Sequence, residues 1–166
     1  MPKLAYPQLH CEAAPETTAF RTVVSVLRQD PVLKRLVKQW AVWDGSSEDL
    51  WEPSFATCPF LRLSPYPDGS DWATEIQHAS PLILRVQAAV AGTDSDQIMN
   101  FWNAIRSAIF PSNQAQKTTV QGRLQGAGIL KPVIAQSAYG VLPDETTGAP
   151  MIVADGVIKL KMLITT

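Results

Sequence analysis

Between Leu82 and Pro111 the spacing of apolar residues switches from every second position to every third and fourth, and the switch falls at a glycine. Leu82, Leu84, Val86, Ala88 and Val90 point one way and Arg85 and Gln87 the other, the pattern of a strand with one buried face. Gly92-Thr93-Asp94 then stops the strand and opens a helix, with Asp94 and Gln97 at capping-box spacing. Ile98, Trp102, Ile105 and Ile109 make one apolar face, and Pro111 ends it. A strand followed at once by an amphipathic helix requires a layered arrangement in which the helix covers the sheet.

Upstream, a helix is predicted from Pro15, with Glu16 in its first turn, where the helix dipole favours an acid. Phe20, Val23, Val24 and Leu27 form its stripe. Asp30-Pro31 interrupts it, and Leu33, Leu36, Val37 and Trp40 are read as the same stripe continued through a second helical piece. Phe60, Leu61 and Leu63 predict a short strand closed by Pro65 and Pro67. Trp72 to His78 alternates weakly.

After Pro111, residues 112–128 are polar and punctuated by glycine, which predicts a loop with room for a turn of helix. Leu130 to Leu142 and Met151 to Ile164 predict two strands, joined by an exposed loop or kinked at Asp155-Gly156, a dipeptide suited to a hairpin. The expected fold is α+β: a mostly antiparallel sheet with two main helices on one face, a two-layer sandwich. An irregular leader (1–14) precedes a single domain (15–166).

One stretch resists placement in that core. Residues 43–60 carry Asp44, Glu48, Asp49 and Glu52 with Trp43, Trp51, Phe55 and Phe60, two prolines, and no Lys or Arg. Residues 21–38 directly before it hold Arg21, Arg28, Lys34, Arg35 and Lys38 against Asp30 alone. So aromatic a segment favours burial, while its charge and prolines disfavour a monomer's core. An arm that docks on an oppositely charged surface satisfies both. Charged residues make up only 17% of the chain, below the roughly 25% usual for soluble domains. That agrees with a surface that meets protein, and equally with a Ser/Thr/Gln-rich monomer.

Several functions find no support. The net charge of −1 provides no field for a nucleic-acid backbone. The longest apolar run, Val157 to Ile164, is broken by Lys159 and Lys161 and is too short to span a bilayer. The first residues lack the apolar core of a signal peptide. Cys11 and Cys58 are read as free thiols. His10-Cys11-Glu12 and the lone His78 lack metal-ligand spacing, so no metal and no cofactor is expected. The glycine-rich run 121–128 lacks the phosphate-loop ending and a preceding strand. No catalytic residue is expected.

The order of elements resembles a known family. A helix ending in DPVLKRLV (30–37), a proline-led strand in CPFLRLSPYP (58–67), the strand LILRVQAAVAG (82–92), the helix QIMNFWNAIRSAIFP and a closing pair of strands are similar to the tail terminator, or tail completion, proteins of long-tailed bacteriophages. The resemblance covers most of residues 16–165. It implies a virion protein that forms a homohexameric ring, caps the tail tube, ends its polymerisation and docks to the head-side connector or stopper. Genome DNA would pass through such a ring, which would be assembled in the host cytoplasm without a membrane or a sequence-specific nucleic-acid partner. Residues 43–60 and 112–128 are longer than that pattern, and would also suit another neck component.

A ring needs two unlike surfaces on each subunit. The expected interface residues are Arg28, Lys34, Arg35 and Lys38 on the basic side and Trp43, Asp44, Glu48, Asp49, Trp51, Glu52 and Phe55 on the acidic arm. Lys159 and Lys161 are expected either as guards of a sheet edge or as subunit-facing charges. The competing reading is a small ligand-binding or regulatory domain with a pocket lined by Trp72 and Trp102.

Overall fold

A computed structural model describes residues 15–42, 53–65 and 81–162. Helix α1 (Pro15–Gln29) buries Ala19, Val23, Val24, Val26 and Leu27. Asp30 ends it and starts α2 (Pro31–Leu36), where its carboxylate accepts from the amides of Val32 and Leu33 at 3.1 and 3.0 Å. Such a cap satisfies donors that the helix itself cannot. The predicted stripe through Trp40 fails here. Leu33 and Val37 are buried but Leu36 is exposed, and the chain turns extended at Val37. The amides of Lys38 and Gln39 both donate to the Pro59 carbonyl, which draws the chain into a strand, β1 (Gln39–Val42). Trp40 and Val42 suit a pleated, half-buried surface better than a helix.

The described sheet runs β1-β2-β3-β5-β4, with β2 (Phe60–Pro65), β3 (Pro81–Ala91), β4 (Ile129–Pro143) and β5 (Pro150–Met162). Only β1 and β2 are parallel. Register sorts the side chains as the alternation predicts. Leu61 lies opposite Ala88, Leu84 opposite Ile158, and Val90 opposite Ile152. All of them enter the main core with the helices. Helix α3 (Ser95–Ile109) contributes Ile98, Phe101, Trp102, Ile105, Ala108 and Ile109. Its cap is Asp94, as expected, although the carboxylate takes the amide of Asp96 rather than that of Gln97. The fold is α+β in two layers.

Two expectations are corrected. Residues 112–128 are not a loop: Asn113 caps the helix α4 (Gln114–Gly126), accepting from the amides of Ala115 and Gln116. This helix has almost no apolar face, and only Leu124 is buried. Arg123 fastens it to α1, donating to Ser25 Oγ at 2.7 Å and Gln29 Oε1 at 3.0 Å. Gly128, at φ 82°, then releases the chain into β4.

Asp155-Gly156 is not a turn either, because β5 runs straight through it. A Cβ on Gly156 would overlap the Trp102 ring and the Ala135 carbonyl oxygen. The glycine is there because the indole lies on the strand. Opposite it, the register of β4 slips between Gln136 and Ala138, which marks a bulge.

Candidate assembly surface

Parallel neighbours cannot be joined by a tight turn, so residues 43–59 must carry the chain from the end of β1 back to the start of β2. The acidic-aromatic stretch is therefore first of all a crossover connection. Its described part, from Pro53 onward, lies on the side of the sheet away from the helices. There Cys58 and Phe60 join Ala41, Ala89, Met151 and Val153 in a second, smaller core.

Asp144, at the mouth of the β4–β5 turn, is the anchor. Its Oδ2 accepts from the amide of Phe55 at 2.6 Å, and its Oδ1 from those of Thr146 and Thr147 at 2.7 and 3.1 Å. These bonds stabilise the charged form. They hold the carboxyl below its ordinary pKa, the Phe55 amide contributing most. Ser54 and Thr57 cap the short 3-10 turn Phe55–Thr57 reciprocally. Lys38 Nζ donates to the Ala56 carbonyl at 2.7 Å. The Cys58–Pro59 peptide is cis, and Cys58 is a free thiol whose Sγ lies 3.8 Å from Met151 Sδ. Burial, followed by the Asp144 charge, pushes that thiol's pKa up.

The expected interface residues thus separate. Lys38 meets the segment within its own chain and through a backbone carbonyl, that of Ala56, rather than a carboxylate. Arg28 stands over the Trp40 ring, 5.8 Å from its centroid, also within the chain. Phe55 is fixed through its backbone while its ring stays exposed. Lys34 and Arg35 are exposed on α2, and Arg21 on α1, with no ion pair to any of them among the described residues. Trp43, Asp44, Glu48, Asp49, Trp51 and Glu52 lie outside the described residues, as do His10, Cys11, Trp72 and His78. Over residues 53–60, the picture of a free arm is replaced by a segment tied to its own sheet.

Lys159 and Lys161 are exposed on the face away from the helices. They sit on an interior strand, so guarding an edge is not their role. Among the described strands the sheet has two edges, β1 and β4, and the β4 edge is unusually apolar. Val141 is 62% exposed, Tyr139 49% and Leu142 45%, with Leu130 and Val133 exposed as well. From the sequence this segment reads only as a strand. The clue to its exposure is the absence of strict alternation in Ala138–Leu142, where both faces carry apolar side chains without a charge.

Chemistry has little to work with. Among the described residues no three His, Cys, Asp or Glu side chains gather where a metal could sit. Trp102 is 2% exposed and packed on Gly156, so it fills the core rather than lining a pocket. Among the described residues its buried indole N–H has no hydrogen-bond partner. An open cleft of about 470 Å³ between α1 and α4 is lined by Thr18, Arg21, Thr22, Ser25 and Arg123 among others. Its deepest cation, Arg123, is already bonded across to α1. No described helix is long and apolar enough to cross a membrane. Neither a protein-family model nor a curated protein matches this chain.

Proposed function

We propose that the chain is a structural virion protein: a subunit of a homohexameric ring that caps a phage tail tube, stops its polymerisation and joins it to the head-side connector. The reading rests on the resemblance in element order. It is supported by the α+β sandwich and by one observation above the rest, the exposed cations Lys34 and Arg35 on α2, just past the junction with α1. The acid between those helices, Asp30, is occupied with capping α2. Four further acids, Asp44, Glu48, Asp49 and Glu52, cluster in residues 44–52 of the sequence without a Lys or Arg among them. A ring contact between one subunit's cationic corner and the next subunit's acidic connection joins unlike surfaces, as a closed heterologous ring requires.

Light scattering on the purified protein tests this. A discrete particle of six subunits, or a multiple of six, supports the ring, and its addition to polymerising tail tube protein should arrest growth. Any other stable mass overturns it. Charge reversal of Lys34 and Arg35 to Glu should open the ring without unfolding the subunit, because both are exposed. A second reading, a small ligand-binding domain, has the α1–α4 cleft in its favour. It requires a monomer in which Arg21→Ala weakens anion binding.

A further inference from the structure

An exposed sheet edge invites another strand, and proteins usually blunt it with charge, proline or a bulge. Strand β4 concentrates those devices before its bulge and has after it only the terminal Pro143. Before its bulge at Gln136–Ala138 stand Lys131 and Pro132. A proline offers no amide to an incoming strand. After the bulge, Ala138-Tyr139-Gly140-Val141-Leu142 contains neither a charge nor a proline. On this unguarded half Tyr139, Val141 and Leu142 are all substantially exposed.

We propose that Ala138–Leu142 pairs antiparallel with the same segment of a second copy of this chain, about a two-fold axis at Gly140. The segment's own order argues for that occupant. With Gly140 opposite itself, Tyr139 of each copy stands opposite Val141 of the other, and Ala138 opposite Leu142. Aromatic against β-branched is among the favourable cross-strand pairs. Tyr139 and Val141 share the helix side of the sheet, since they lie opposite Ala154 and Ile152 of the main core. The paired side chains therefore meet on one continuous face. No charge meets its own copy, so self-pairing carries no repulsion.

At Gly140 a Cβ would find open space within 4 Å, so nothing on that face of the strand obstructs the glycine pair at the axis. Phe55, held to Asp144 two residues beyond Leu142, adds an exposed ring near the end of the strand. A five-residue ribbon buries less than the roughly 1,600 Å² of a standard interface. The pairing is accordingly reversible, as a contact to be exchanged during assembly must be.

This pairing holds whether or not the six-fold ring does, and the two can be told apart. Val141→Lys places a charge against its own neighbourhood on a side chain that is already exposed. It should halve the particle mass by light scattering, from two to one or from twelve to six, with an unchanged thermal melt. In a Cys11→Ser background, Gly140→Cys sets two thiols face to face within disulfide reach. Mild oxidation should yield a covalent dimer, whereas Lys131→Cys on the guarded half should not. A wild type that stays monomeric up to its solubility limit overturns the pairing. So does a mass unaffected by Val141→Lys, or a Gly140→Cys variant that links to Gln39→Cys on β1 rather than to itself. A six-subunit ring indifferent to Val141→Lys leaves the ring standing and removes the pairing. A dimer that Val141→Lys splits and that never closes six-fold does the reverse.

Discussion

The two faces of the sheet are held by different physics. Under the helices, Leu27, Leu33, Ile98, Phe101, Trp102 and Ile105 close over one side of the sheet, with Trp40 and Val42 of β1 packed against them in part. Burial of that kind is non-directional and scales with apolar area. On the opposite face the apolar cluster is small, and what holds the chain to it is a set of hydrogen bonds converging on the Asp144 carboxylate. One face resists change by volume, the other by geometry and charge. Two phenylalanines, each 1% exposed, put the contrast to the test. Phe101→Ala, in the larger core, should cost about 3–5 kcal/mol in urea unfolding, the usual range for a buried ring. Phe60→Ala should cost less, because the small cluster beside the connecting segment can collapse into the space. Equal losses would erase the distinction between the faces.

Where volume rules, added volume should hurt as well. Gly156→Ala drives a methyl into Trp102 and the Ala135 carbonyl and should destabilise by about 1–3 kcal/mol, the range for overpacking. In the Trp102→Phe background the penalty should shrink but persist, since the carbonyl remains in place. A double-mutant cycle reads that coupling directly. Purely additive losses would mean that the indole does not press on the strand.

The same glycine shows where sequence reasoning succeeds and where it misleads. Alternation and helical spacing placed the helix-side residues of β3, β5 and α3 correctly, although β3 and β5 also bury Ala89, Met151 and Val153 on their other face. Asp155-Gly156 carries a turn signature for reasons unrelated to a turn. The aspartate serves one face, the glycine makes room on the other, and neither demand is visible without Trp102 in place. Helix α4 gives no periodic signal because a cap at Asn113, the bonds of Arg123 to α1 and the single buried Leu124 hold it without an apolar stripe. Strand β1 escaped because its partner, β2, is contacted only after the crossover. For the candidate assembly surface, the charge asymmetry of residues 21–60 was legible. The apolar edge of β4 was not, since a strand's position within a sheet depends on all the others.

The polar face predicts a pH response that the apolar face lacks. Because Asp144's pKa is lowered by its amide partners, its contribution is present in full above the unfolded carboxyl value. It is lost as pH falls through the folded value. Wild type should therefore lose melting temperature progressively below about pH 4, the ordinary aspartate range. Asp144→Asn keeps one accepting oxygen for amides that now approach two. It should melt lower than wild type at neutral pH, with the difference closing in acid. Protection of the Phe55 amide from hydrogen exchange should fall in step. An unchanged difference across that range would mean that the connection is held by packing after all.

The smallest effect is expected where the polar face meets water. Arg85 reaches across from β3 to Asp155 on β5, with Nε to Oδ1 at 3.1 Å and Nη2 to Oδ2 at 2.7 Å. The two-pronged geometry is favourable. Both side chains are about a third exposed, however, at 39% and 31%, and exposed pairs contribute only about 0.2–1 kcal/mol. Arg85→Lys keeps the charge and removes the fork, so it separates the two contributions. If geometry matters, Arg85→Lys loses most of what Arg85→Ala loses, and the loss changes little with salt. If charge alone matters, Arg85→Lys stays near wild type and the loss in Arg85→Ala fades as salt screens it. The first outcome extends to this surface pair the rule that Asp144 obeys, directional bonds rather than net charge. The second confines that rule to the residues around the connection.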